Sequence, residues 1–257
     1  MRWLLNAWGW FATVMVVILG FPFYLVVWLC TAPFDSGRYA AGRTFRLIAV
    51  TAIRLNPLWR FSVTGTPPRD PRRPYVAVSN HESYADVFLI SMFPWEMKWM
   101  AKTTIFSIPI MGWMMRLSGD IPLVRGERRS AVAALAAARD RLAKRVSVMI
   151  FPEGTRSRTS ELLPFKDGAF RVAIECGTPI LPIAVAGTRS AMAKGSFQFR
   201  PAVARARVLE PIETAGLTID DVPALRDRTR AVIDEARHAI ERELGLSSSR
   251  FTDVADS

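Results

Sequence analysis

The chain opens on an unbroken apolar run: no charged residue stands between Trp3 and Phe34. A stretch of that length can cross a bilayer as a helix. It is too long for the apolar core of a cleaved signal, and no small-x-small cleavage site follows it. Pro22 lies near its middle and is expected to break the run there. Arg2 flanks one end; Arg38, Arg43 and Arg46 follow the other. The larger positive cluster is expected to stay cytoplasmic. Two arrangements fit: a single span with its N-terminus outside, or a kinked re-entrant hairpin with both ends inside.

The pattern then changes period. Between Arg38 and Trp59, the residues Ala41, Phe45, Ile48, Ala49, Ala52 and Ile53 recur at helical spacing, interleaved with Arg38, Arg43, Arg46 and Arg54. This predicts a basic amphipathic helix, suited either to the headgroup region of a membrane or to packing on a core. The Pro-rich loop Thr66 to Pro74 is expected to divide this anchor (1–60) from a globular domain (61–246). Residues 247–257 are expected to be a disordered tail.

Inside the globular part, short apolar runs alternate with helical patterns. Strands are predicted at 75–79, 98–102, 121–124, 147–151, 180–186 and 204–209. Helices are predicted at 83–92, 109–117, 127–144, 170–176 and 222–244. Such alternation indicates an α/β fold with a mostly parallel central sheet flanked by helices, behind the N-terminal membrane-embedded anchor.

Charge and composition narrow the partners. Half of the 257 residues are hydrophobic, and the formal net charge is +11. That excess favours an anionic partner, either nucleic acid or an anionic membrane surface. The apolar N-terminus favours membrane lipids. The aromatics cluster in apolar segments instead of alternating with arginines, which argues against nucleic acid. Cys30 and Cys176 form neither a disulfide framework nor a metal-binding spacing, as in a reduced cytosolic compartment.

Candidate chemistry sits where apolar runs end. His81 and Asp86 follow the run at 75–79, and the chain has only two histidines. On one continuous helix residues five apart diverge by about 140°. If His81 lies in the turn before a helix and Asp86 in its first turns, the two can meet. Asp86 would then fix one ring nitrogen and leave the other as a base. The alternative is a structural histidine beside a capping aspartate. Phe151-Pro152-Glu153-Gly154-Thr155-Arg156 follows the run at 147–151. Gly154 permits a tight turn, and a guanidinium can bond two phosphate oxygens at once. Arg158 is expected to be solvated. Arg125-Gly126 ends a third run, and Pro182 lies within a fourth.

These segments, in this order, resemble the glycerophospholipid acyltransferase family, its 1-acylglycerol-3-phosphate acyltransferase group in particular. The Asn-His-x4-Asp block matches at Asn80, His81 and Asp86, and Phe-Pro-Glu-Gly-Thr-Arg matches without a gap at 151–156. Arg125-Gly126 and Pro182 match the remaining blocks. The resemblance implies transfer of an acyl group from a thioester of coenzyme A or acyl carrier protein to the sn-2 hydroxyl of a lysophosphatidate. His81 would be the base, oriented by Asp86. Arg125, Gly126, Glu153, Gly154, Thr155 and Arg156 would form the phosphate site, with Glu153 holding an arginine in place. Lys102 is a candidate for added positive charge near the acceptor. Met111, Trp113, Met114 and Met115 would either line an acyl tunnel or pack a core. No metal and no resident cofactor is implied. Another lysophospholipid or lyso-aminolipid acceptor keeps the same chemistry; a non-catalytic lipid-binding protein is the reading from another class.

Overall fold

The computed structural model describes residues 2–157, 159, 161–192, 196 and 198–246. Helix α1 (Arg2–Thr31) and helix α2 (Tyr39–Arg54) precede strand β1 (Trp59–Thr64). Next come β2 (Val76–Ser79), α3 (Ala85–Ser91), β3 (Met97–Lys102), α4 (Met111–Ser118) and β4 (Ile121–Leu123). The rest is α5 (Arg128–Ala143), β5 (Ser147–Ile150), α6 (Gly168–Glu175), β6 (Ile180–Ala186), β7 (Ala202–Val208) and α7 (Val222–Glu243).

The seven strands form one sheet in the order β1-β7-β6-β2-β5-β3-β4. Strands β6, β2, β5, β3 and β4 run parallel to one another; β7 is antiparallel to β6 and parallel to β1. The expected α/β class is therefore what the chain adopts. Alternate residues of each central strand enter opposite layers, as the two-residue period of a strand requires. Val76, Val78, Val148 and Ile150 join the core under α5, α6 and α7. Ala77, Met149, Leu181 and Ile183 join the core that includes Leu89 and Ile90 of α3. Both faces are covered, which is why these strands read as continuous apolar runs.

Three expectations about the N-terminal region change. First, α1 continues through Pro22. Proline removes one helix hydrogen bond, but packing of the neighbouring Phe21, Tyr24 and Leu25 into a cluster with Phe45, Ile48, Met114 and Met115 holds the helix together. A hairpin within 3–34 is excluded. Second, both ends of α1 touch the globular body. Asn6 Oδ1 accepts from Phe199 N at 2.8 Å, and the Trp10 and Phe199 rings lie 4.8 Å apart. Toward the other end, the Tyr24 hydroxyl donates to Met114 O of α4 at 3.0 Å. Between them Trp8 donates to Leu55 O at 3.0 Å. A span with its N-terminus across the bilayer would separate these contacts. Third, α2 ends at Arg54 and is docked on the body. Arg46 is buried, hydrogen-bonded to Asp120, with its Nε 3.7 Å from Glu96.

Trp59, expected as the end of a helix, begins β1, which pairs with β7. The boundary expected near residue 60 falls inside that strand, and the Pro-rich loop joins β1 to β2 within one sheet. The expected tail, 247–257, and Arg158 lie outside the described residues.

Candidate active site

The parallel strands all end on one edge of the sheet, where loops leave the backbone open to a ligand. Asn80 follows β2 directly. Its side chain donates to Val185 O at 2.9 Å and accepts from Val185 N at 2.8 Å, fastening the end of β2 to β6. The chain then turns through His81, Glu82 and Ser83 before α3 begins. Asp86, in the first turn of α3, closes that turn. Its Oδ2 accepts from Glu82 N at 2.8 Å and Ser83 N at 3.0 Å. The same oxygen lies 2.7 Å from His81 Nδ1. His81 thus sits ahead of the helix and Asp86 inside it, the arrangement that lets residues five apart meet. Both are buried.

The turn after β5 builds the other wall. Strands β2 and β5 are neighbours, with Val78 opposite Ile150. Phe151 consequently stacks on the His81 ring, centroids 3.9 Å apart and planes 14° from parallel. Ser157 N donates to His81 O at 3.0 Å. Gly154 has φ +70°, the left-handed region that favours glycine, and a Cβ there would meet only the flexible end of Lys166, 2.8 Å away at Nζ. The Arg156 guanidinium lies 3.7 Å from the centroid of the Tyr84 ring.

Glu153 corrects an expectation. Its carboxylate grips main chain: Oε1 accepts from His81 N at 2.7 Å and Oε2 from Leu163 N at 3.1 Å. It therefore holds the histidine turn, where it was expected to hold an arginine. Burial pushes its pKa up to about 7, against the pull of those two donors. Glu82 is likewise pushed up to about 7, first by burial and then by the Asp86 charge. Arg125 is shifted down, chiefly by burial, with the Arg156 charge adding to the shift.

A cavity of about 390 Å³ opens beside the turn. Arg125, Gly126, Gly154 and Lys166 line it, above an apolar floor that includes Leu135 and Ile150. The structure thus brings His81 to Asp86, and Arg125 and Gly126 to Gly154. Lys102 stands apart: it is exposed at the end of β3, and no described hydrogen bond or ion pair ties it to the site. Met114 and Met115 are buried against α1 and α2 and do not line the cavity; Trp113 is exposed. Two residues escaped sequence reasoning. Lys166 lies just ahead of α6, and its main-chain N–H donates to Pro152 O at 3.0 Å. Thr188, just past β6, is buried and donates its hydroxyl to Asp86 Oδ1. The signal available for Thr188 was its place at the end of a strand bound for the same edge.

An α/β sheet carrying a histidine–aspartate pair and a cationic turn on its C-terminal edge is the architecture of an acyltransferase domain. Residues 60–186 match the family model described as Acyltransferase. These residues form a domain of this family. It is 36% identical over 243 residues to the chloroplastic 1-acyl-sn-glycerol-3-phosphate acyltransferase BAT2 of Brassica napus, covering 91% of this chain and 63% of that one. It is also 36% identical over 173 residues to 1-acyl-sn-glycerol-3-phosphate acyltransferase alpha of Homo sapiens, covering 66% and 61%. The chain spans less than two thirds of the length of these curated relatives. It is similar in structure to the 1-acyl-sn-glycerophosphate acyltransferase PlsC of Thermotoga maritima, with a TM-score of 0.78 at 27% identity, covering 93% of this chain and 96% of that one.

Proposed function

We propose that the chain is an O-acyltransferase that acylates the sn-2 hydroxyl of 1-acylglycerol-3-phosphate to give phosphatidate. The observation that carries this reading is the His81 Nδ1 to Asp86 contact at 2.7 Å, set beside the turn that bears Arg156. Asp86 holds Nδ1, so Nε2 faces the chemistry. Nε2 takes the proton of the acceptor hydroxyl, and the oxygen attacks the thioester carbonyl. The tetrahedral intermediate collapses, the C–S bond breaks, and the thiolate of the carrier takes up a proton from the imidazolium. General-base assistance of this kind is worth about 10²–10⁴-fold in rate. No acyl-enzyme is required; the Ser83 hydroxyl is engaged by Met192 O at 2.8 Å.

Arg125, Gly126, Gly154 and Lys166, which line the cavity, hold the acceptor phosphate together with Thr155 and Arg156 of the adjoining turn. Glu153 serves by holding the main chain of the histidine turn. The acyl donor is a thioester of coenzyme A or acyl carrier protein. Helix α1 lies with its exposed apolar face, which includes Phe11, Leu19 and Phe23, in one leaflet on the cytoplasmic side. Both of its ends remain on the body, which supports embedding from one side over crossing. The excess positive charge assists docking on anionic lipid, so high salt weakens it.

The names of the relatives favour lysophosphatidate over other lysolipids. Thioester release by the purified protein, with several lysolipids and both carriers, tests the reading. It predicts phosphatidate as the main product from lysophosphatidate. A larger product yield from a neutral-headgroup lysolipid would replace this acceptor, and no release with any of them would remove the activity.

A further inference from the structure

Resting on that function, we propose that Thr188 is a positioning residue for the His81–Asp86 pair, holding the second carboxylate oxygen of Asp86 so that the first stays on the imidazole. Asp86 carries three donors on Oδ2: the imidazole Nδ1 at 2.7 Å and the main-chain N–H groups of Glu82 and Ser83. On Oδ1 the described donor is the Thr188 hydroxyl. A fully buried carboxylate oxygen without a donor is costly. With Thr188 silent, the carboxylate gains by turning toward another donor, and that rotation carries Oδ2 away from Nδ1.

The fold shows that this hydroxyl is aimed. Thr188 is 102 positions from Asp86 in sequence. The Asn80–Val185 bonds lock the end of β6 to the histidine turn. Gly187 then turns the chain with φ +92°, where a Cβ would lie 2.2 Å from Val203 O. The threonine is delivered to Asp86 by a turn that only glycine fits.

A hydroxyl has one proton, and here it goes to Asp86. Glu82 Oε2, 3.4 Å away, is a second and more distant acceptor within its reach. The contacts form a chain from Glu82 through Thr188 and Asp86 to His81, with Thr188 and His81 both donating to Asp86. Arg189, whose Nη2 lies 4.0 Å from Glu82 Oε1, flanks that chain.

The test compares Thr188→Val, Thr188→Ser and Thr188→Cys in the full chain, assayed with lysophosphatidate and an acyl thioester. Displacing a catalytic group by about an ångström can lower rate by about 10²-fold. Thr188→Val should therefore lose about 10–100-fold in kcat with acceptor KM within about twofold of wild type. Thr188→Ser, which keeps the donor, should stay within about threefold of wild type. Thr188→Cys, a weak donor, should fall between and carries the test if the valine variant does not fold. A valine or cysteine variant with near-normal kcat, or a serine variant as poor as valine, overturns the role. Wild type inactive on every acceptor would instead remove the acyltransferase reading itself.

Discussion

The two halves of the sheet edge are built on opposite principles. On the β2–β6 side, His81, Asp86, Glu82 and Thr188 are buried, and Asp86 alone accepts four hydrogen bonds. On the β5–β4 side, Arg125 and Lys166 are exposed around an open cavity, and Gly126 and Gly154 supply backbone without side chain. A base must be held in one orientation before substrate arrives, and fixed dipoles in a dry site do this without reorganising. A phosphate brings its own charge, so its site can stay solvated until it is occupied. The difference predicts that changes on the first side lower kcat, and changes on the second raise acceptor KM.

The largest effect expected on the dry side, apart from the base itself, is from Asp86→Asn. An amide would set N–H groups against the N–H donors that Asp86 now receives, so kcat should fall by at least about 10²-fold. Steady-state assays that found kcat intact with KM raised would erase the contrast between the halves. Next comes Arg156→Ala, on the turn beside the cavity, where the side chain is half-buried over Tyr84. A hydrogen bond to a charged group is worth about 1.5–3 kcal/mol, so acceptor KM should rise about 10–100-fold with kcat less affected. An unchanged KM would take Arg156 out of the phosphate site.

A smaller effect concerns stability. Glu82 has a folded pKa of about 7 against an ordinary 4.5, so the folded state binds its proton more tightly than the unfolded one. The contribution is fully present below about pH 4.5 and is lost as pH rises through about 7. Glu82→Gln, a neutral mimic, should therefore flatten the decline of Tm across that window; Glu153, raised to the same range, supplies what decline remains. Parallel thermal melts with equal slopes for both proteins would contradict it. The smallest effect is from Lys102→Ala, expected to change kcat/KM by less than about threefold, because the side chain is exposed and outside the cavity. A tenfold loss would bring Lys102 back into the acceptor site.

The contacts that were legible in the sequence are the local ones. His81 and Asp86 are five residues apart, and Phe151 to Arg156 is contiguous, so spacing and apolar context were enough to bring each out. What was not legible depends on partners far along the chain. Arg46 reads as one charge of a basic helix face because Asp120, its buried partner, is 74 positions away. The seat of α1 is invisible because Asn6 meets Phe199 across 193 positions. Strand β1, Trp-Arg-Phe-Ser-Val-Thr, lies at the sheet edge and is only partly buried beyond Trp59, so it lacks the apolar run that marks its central neighbours. Glu153 was assigned an arginine because a carboxylate beside arginines suggests an ion pair; main-chain donors leave no trace in sequence.

The central claim is that His81 is the base that deprotonates the lysophosphatidate hydroxyl. Its most direct test is phosphatidate formation by purified His81→Ala, with circular dichroism and vesicle co-sedimentation run beside it. The account predicts a loss of about 10²–10⁴-fold in the rate of phosphatidate formation, with the fold and vesicle binding unchanged. Phosphatidate formed at the wild-type rate by that variant would contradict it.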